Sequence, residues 1–287
     1  MAKVLSLTLE SKGTKLMATQ AEKGAAFRAL HQRERAFLIP NPWDVGTARL
    51  LQMLGFEALA TTSGGFAFSI GKPDGAVDGE TMLAHAAALV AATDLPVSAD
   101  LEAGYADEPK RVAETVRRAA AVGLAGCSIE DVGAHGGKPY ELALATERIR
   151  AAAEAAHAQA FPFTLTARAE NYIVGRPDLA DTIARLQAFQ EAGADVLFAP
   201  GLKSKQDIQT VVRAVDRPVN VIMGLQGVQL TLAELSELGV KRVSVGSALS
   251  RAALGATSFL RASGARAGGG RRGRCRSRGR SGSRKMR

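Results

Sequence analysis

The chain is poor in cysteine, has no long apolar run and carries no nucleotide-binding fingerprint. Its two cysteines, Cys127 and Cys275, are too few for a disulfide framework or a zinc site, so a reducing cytoplasm is the expected compartment. No window of roughly 18 uninterrupted apolar residues occurs, and no membrane-spanning helix is expected. The opening stretch lacks an apolar signal region followed by a cleavage site. No G-x-G-x-x-G follows the first apolar run and no G-x-x-x-x-G-K-[ST] is present, which removes the common nucleotide cradles.

What is present fits a globular protein. Of 287 residues, 46% are hydrophobic and 23% charged, enough apolar content to bury a sizeable core. The net charge of +9 invites a nucleic-acid reading, but its distribution opposes one. Ten Lys and Arg and no acid fall between Gly264 and Arg287, so the rest of the chain stands at −1. That segment is nearly all Arg, Gly, Ser and Ala. It has no apolar face to offset the entropy of ordering and reads as a disordered basic tail. Its arginines would attract phosphate, yet no aromatic residue is interleaved for base stacking, so nucleic acid is not the expected partner. The break in composition is abrupt enough to fit a shifted reading frame as well.

Residues 1–35 read as a leader with helical character. From Ala36 to Ser263, short apolar runs alternate with Ala-rich stretches of helical spacing. The runs are Phe37–Pro40, Ala58–Thr62, Val97–Leu101, Cys127–Glu130, Phe163–Arg168, Asp195–Ala199, Val219–Met223 and Val243–Gly246. Pro109–Val122, Ala143–Gln159 and Leu179–Ala192 are long enough for helices of three or more turns. Short continuous apolar runs between helices read as buried parallel strands. Eight such units predict an α/β fold, a (β/α)8 TIM-type barrel, with an open doubly wound sheet as the alternative. Gly55, Gly123, Gly193 and Gly239 each follow a helical run and precede a strand. They read as helix C-terminal glycines in the left-handed conformation, without chemistry.

In a barrel the chemistry sits at the C-terminal ends of the strands. Those ends read Thr61-Thr62-Ser63-Gly64-Gly65, Asp100-Leu101-Glu102-Ala103-Gly104-Tyr105, Glu130-Asp131 and Arg168-Ala169-Glu170-Asn171. Asp100, Glu102 and Glu130 are hard oxygen ligands suited to Mg²⁺, which keeps several waters and takes one or two direct carboxylates. Without a cation they would repel and raise one another's pKa. Arg168 is able to clamp a carboxylate bidentately, or to serve as a structural partner of Glu130 or Glu170. Ser63, Gly64 and Gly65 offer a hydroxyl and bare N–H groups, an anion nest or simply a tight turn. His135, in the Val132–Pro139 loop after Glu130-Asp131, is a candidate acid/base as well as an ordinary loop residue. Cys127, inside a strand, reads as a packed thiol.

These stretches resemble the isocitrate lyase/phosphoenolpyruvate mutase superfamily, in its phosphonomutase-like branch. The matching residues are Pro40-Asn41-Pro42-Trp43-Asp44, Thr62-Ser63-Gly64-Gly65, Lys72-Pro73-Asp74-Gly75, Asp100 to Tyr105, Ser128-Ile129-Glu130-Asp131 and Ala167-Arg168-Ala169-Glu170, in the family's order. The resemblance implies a Mg²⁺-dependent lyase, with Mn²⁺ able to substitute, acting on a small-molecule 2-oxo acid or related carboxylate. It would break a C–C bond through a metal-stabilised enolate. Carried over by position, Asp100 is the direct metal ligand and Asp74, Glu102 and Glu130 act through its waters. Ser63, Gly64, Gly65 and Arg168 bind the substrate carboxylate. The alternatives are a phosphonopyruvate mutase or hydrolase working on a P–C bond, and a non-catalytic 2-oxo-acid binder. One departure is the loop after the fourth strand: the family's isocitrate-type lyases carry a Lys-[Lys/Arg]-Cys-Gly-His motif there, and this chain has no Cys. The family also exchanges C-terminal helices between subunits. A homo-oligomer, dimer or tetramer, is therefore expected to depend on Ala248–Arg261.

Overall fold

The structure, a computed structural model, describes residues 18–133, 137–224 and 228–267. Helix α1 (Gln20–His31) leads into β1 (Phe37–Ile39), α2 (Val45–Met53), β2 (Leu59–Ala60), α3 (Ser63–Ser69), α4 (Gly79–Ala92), β3 (Val97–Asp100) and α5 (Pro109–Ala121). There follow β4 (Gly126–Glu130), α6 (Leu142–His157), β5 (Thr164–Arg168), α7 (Leu179–Glu191), β6 (Val196–Phe198) and α8 (Lys205–Ala214). The chain ends through β7 (Val219–Ile222), α9 (Leu232–Glu237), β8 (Arg242–Ser244) and α10 (Ala248–Ala267).

The strands form one parallel sheet in the order β1-β8-β7-β6-β5-β4-β3-β2, a (β/α)8 barrel rather than an open doubly wound sheet. The β1–β8 ladder pairs Phe37 with Arg242 and Ile39 with Ser244. Between β1 and β2 the ladder is replaced by single bonds. Ala60 N–H donates to Pro40 O at 3.1 Å, and the Asn41 amide donates to Thr61 O at 2.9 Å. Asn41 Oδ1 also accepts from the N–H groups of Val245 and Gly246, at 3.0 and 2.8 Å, so one buried side chain ties three strand ends together.

The outward-facing strand residues Cys127, Ile129, Leu165, Ala167, Leu197 and Val243 meet apolar faces of the surrounding helices in the main core. Cys127 is wholly buried, as a packed thiol should be. Helix α5 shows the principle: Val112, Ala113, Val116, Ala119 and Ala120, at helical spacing, are its buried residues. Gly55, Gly123, Gly193 and Gly239 all have positive φ, as expected of helix C-terminal glycines. A Cβ at Gly123 would in addition stand 2.9 Å from Val90 Cγ1.

Helix α1 closes the N-terminal end of the barrel. Thr19 and Glu22 form a capping box. Phe27 and Leu30 join Phe37, Ile39, Ala58 and Ala125 in a second core cluster. Gly24 lies so close to Pro162 O that a Cβ there would overlap it. Gln20 Nε2 donates to Ala120 O and Leu124 O, and Lys23 Nζ to Thr93 O.

The described residues divide into two compact units between Ser250 and Arg251. In the second, α10 runs on to Ala267, past the Ser263 boundary expected from composition. The rest of the basic tail lies outside the described residues, and so does His135. Among the described residues no helix is long and apolar enough to cross a membrane.

Candidate active site

The polar strand ends converge. Asp100, last residue of β3, donates its N–H to Thr61 Oγ1 at 2.8 Å. Its Oδ2 accepts from Ser63 Oγ at 3.0 Å and Ser63 N–H at 3.3 Å. Its Oδ1 accepts from Arg168 Nη1 at 3.0 Å. Glu130 opposes Arg168 in the β4–β5 ladder, and Glu130 Oε1 lies 2.8 Å from the same Nη1. Arg168 Nε donates to Glu170 Oε1 at 2.8 Å. The guanidinium lies over the Phe198 ring, 5.0 Å from its centroid. Arg168 is therefore paired with Glu130 and Glu170, and with Asp100 besides.

The loop after β3 departs from ordinary backbone geometry. Glu102 and Tyr105 have φ of 49° and 56°, the positive-φ non-glycine residues of the described chain. Each such residue costs about 1–2 kcal/mol, and such strain concentrates at functional sites. Glu102 O accepts from Glu130 N–H at 2.8 Å, which pins the loop to β4. Glu102 is buried, and its Oε1 has no hydrogen-bond partner. Tyr105 OH is likewise buried without a partner. On the opposite side, a Cβ at Gly64 would come within 2.7 Å of Asp74 Oδ2, so glycine is what lets this carboxylate reach the start of α3.

Burial pushes the Glu102 carboxyl up to about 7, with Asp100 and Asp74 adding repulsion against the opposing pull of Arg168. Burial also raises Glu130 well above the carboxylate range, although Arg168 pulls it down. For Arg168, burial works against the charge. Glu130, Glu170 and Asp100 more than offset it and hold the group above the ordinary arginine range. One guanidinium thus faces more carboxylates than it can neutralise.

The structure brings Ser63, Gly64, Asp74, Asp100, Glu102, Glu130 and Arg168 into this cluster. Gly65 is different: its N–H donates to Thr62 Oγ1 at 3.2 Å, and a Cβ there would lie 2.5 Å from Thr62 Cγ2. It serves the helix cap and close packing. Several supporting residues escaped the sequence reading. Asp131 accepts from Glu170 N–H at 2.8 Å and pairs with Arg185 at 3.1 Å, which fixes the backbone that carries Glu170. Arg148, fully buried on α6, donates to Asp107 O, Glu130 O, Ala106 O and Ala103 O, and so stitches the β3 and β4 loops together. Asp131 was visible beside Glu130; nothing in the Ala-rich α6 sequence marks Arg148.

The donor set fits a hard divalent cation. Excess carboxylate charge and the orphaned Glu102 oxygen call for a positive partner. Among the described residues no three His, Cys, Asp or Glu side chains stand ready to ligate one ion directly. That pattern suits one direct carboxylate with the others acting through water.

Fold and site together define a barrel enzyme with an acid-rich, arginine-anchored centre at the C-terminal strand ends. The phosphoenolpyruvate phosphomutase profile matches residues 27–262, and the chain belongs to that family. It is an enzyme of the isocitrate lyase/phosphoenolpyruvate mutase superfamily, whose named members include carbon–carbon lyases. A Burkholderia cenocepacia protein provisionally assigned as a lyase/mutase is 60% identical, with a TM-score of 0.82 over 87% of this chain and 89% of that one. The Escherichia coli 2-methylisocitrate lyase is 32% identical over 206 residues, 68% of each chain. A phosphonopyruvate hydrolase solved with oxalate and Mg²⁺ is 25% identical, with a TM-score of 0.77 over 88% of this chain and 89% of that one.

Proposed function

We propose that this enzyme is a Mg²⁺-dependent lyase that breaks a C–C bond of a small 2-oxo acid or related carboxylate through an enolate. The observation that carries the reading is the packing of Asp100, Glu130 and Glu170 around the single guanidinium of Arg168, with the buried Glu102, whose Oε1 has no partner, beside them. Asp100 would hold the cation directly and Asp74, Glu102 and Glu130 through its waters. When bound, the cation supplies positive charge for the oxygen on which enolate charge develops.

The chain's own residues do the rest. Among the described residues the hydrogen bonds of Arg168 use Nε and Nη1, which leaves Nη2 as the donor for a substrate carboxylate. Glu170 and Phe198 hold the guanidinium plane, so the carboxylate is oriented as well as attracted. In a 3-carboxylated 2-oxo acid such as oxaloacetate, the bond from C3 to its carboxylate breaks, the carboxylate departs as CO₂, the electron pair of the bond moves toward the C2 oxo group, and the resulting enolate takes a proton at C3. His135 is our candidate donor, because the loop that carries it follows Glu130 and lacks the cysteine of the isocitrate-type lyases. Ser63 Oγ, bonded to Asp100, orients that carboxylate, and Gly64 admits Asp74. The phosphonopyruvate hydrolase of similar fold keeps P–C cleavage as the second reading.

The test is a turnover screen with Mg²⁺ over oxaloacetate, dimethylmalate, methylisocitrate and phosphonopyruvate, following release of a 2-oxo acid. Turnover of one of the first three supports the C–C reading. Turnover of phosphonopyruvate alone moves the chain to P–C chemistry, and binding without turnover marks a non-catalytic homologue. Sedimentation of the full chain and of a variant cut before Ala248 tests the expected homo-oligomer.

A further inference from the structure

The last residues of six strands form the floor of the catalytic mouth. From β3 to β8 they are Asp100, Glu130, Arg168, Phe198, Ile222 and Ser244. The register keeps all six on one face. Glu130 pairs with Arg168, Arg168 with Phe198, and Ile222 with Ser244. Asp100 and Phe198 pair with Ser128 and Asn220, which lie two residues before Glu130 and Ile222. The charged groups thus occupy β3 to β5, Phe198 and Ile222 are apolar, and Ser244 supplies a neutral hydroxyl. Eight strands make the ring, so β8 faces β4 and Ser244 stands across the barrel from Glu130.

Ser244 is set up as a donor. Arg242, two residues earlier on the same face, donates from Nε to Asn220 Oδ1 at 2.9 Å. A guanidinium only donates, so the Asn220 oxygen must face it. The amide nitrogen therefore turns to Ser244 and donates to Oγ at 3.0 Å. Ser244 has thereby accepted one bond, and among the described residues no acceptor takes its own proton. Each bond of such a chain polarises the next, which strengthens the terminal O–H as a donor. The chain starts on a buried cation that enters no ion pair among the described residues, so its positive charge reaches Ser244 uncompensated. Ser244 is 7% exposed. A side chain inside a barrel meets solvent only through an open end, and Ser244 lies at the catalytic one.

We propose that Ser244 is a specificity-determining residue: its hydroxyl donates to the second carboxylate of a dicarboxylic substrate whose first carboxylate is held by Arg168. Phe198 and Ile222, on the strands between, give the connecting carbons an apolar floor. A neutral distal group would leave the Arg242 charge unanswered. A phosphonate dianion gathers more charged donors than one hydroxyl supplies. The inference rests on the reading of the site as one that binds a 2-oxo acid, and not on which bond is broken.

Isothermal titration of the full chain in Mg²⁺ with malate, lactate and oxalate tests it. Malate and lactate are both 2-hydroxy acids and differ only in the distal carboxylate, whereas oxalate is too short to span from Arg168 to Ser244. The wild type should bind malate more tightly than lactate. Ser244→Ala should weaken malate about tenfold, the loss of one hydrogen bond to a charged group, and leave oxalate and the thermal midpoint unchanged. Where the turnover screen finds a dicarboxylic substrate, the variant should raise its KM with kcat little changed. Malate affinity retained in Ser244→Ala, an equal loss for oxalate, or no wild-type preference for malate over lactate overturns the proposal. Failure of the wild type to bind oxalate would instead overturn the reading of the site on which the proposal rests.

Discussion

Arg168 Nη1 lies 3.0 Å from Asp100 Oδ1, although a whole strand, β4, runs between the strands that carry them. Glu130, from that intervening strand, reaches the same nitrogen at 2.8 Å. Three consecutive strands thus place their last residues on one charge centre.

Replacing Arg168 by lysine separates charge from geometry. A point charge cannot bond Glu170, Asp100 and a substrate carboxylate in one plane. We expect KM to rise, kcat to fall and kcat/KM to drop about 100-fold, equivalent to about 3 kcal/mol of transition-state stabilisation. Steady-state kinetics checks this, and near-wild-type constants would remove Arg168 from the site.

Gly64→Ala should act through Asp74. The new Cβ would press on the Asp74 carboxylate at 2.7 Å, and the flexible end of that side chain is what gives way. The expected outcome is an unchanged thermal midpoint with a several-fold higher Mg²⁺ concentration for half-maximal activity. An unchanged metal titration would place Asp74 outside the cation's surroundings.

Removing Arg148 should damage folding more than chemistry. Its guanidinium serves four carbonyl groups from within the core. In Arg148→Met these buried acceptors lose their donors, a destabilisation of about 2–4 kcal/mol. Urea denaturation measures it; a midpoint within error of the wild type would contradict the stitching role.

Acid should unfold the protein partly through His31. Burial, reinforced by Arg242, takes its pKa from 6.5 down to about 3. As pH falls below 6.5 the unfolded chain binds the proton first. The contribution of His31 is therefore complete above pH 6.5 and is lost as the pH falls toward 3. Between pH 7.5 and 5 the loss from this residue is about 2 kcal/mol. His31→Phe keeps an aromatic ring against Phe27 and Phe37 and should flatten the dependence in urea titrations at the two pH values. An equally steep dependence in the variant would exclude His31 as its source.

The barrel was legible because its strands are short apolar runs bounded by glycine, and their order follows from right-handed crossovers. Helix α1 was harder to read, since Lys23, Gly24 and His31 are buried along with Phe27 and Leu30, which blurs the apolar stripe. Asp100, Glu130 and Arg168 could be found at strand ends, where a barrel concentrates polar residues for chemistry. Thr61 and Glu170 acquire their roles only when neighbouring strands align, and Arg148 only when α6 packs against the β3 and β4 loops. Gly65, expected to meet substrate, spends its N–H on the Thr62 cap.

The most direct test of the account is turnover of the substrate found in the screen, titrated with free Mg²⁺ after exhaustive chelation, for wild type and Asp100→Ala side by side. We expect no turnover without the cation, saturable recovery in the wild type and none in the variant, while circular dichroism shows both folded. Full turnover in excess chelator, or recovery of Asp100→Ala to the wild-type rate, would contradict the assignment of a Mg²⁺ site built on Asp100.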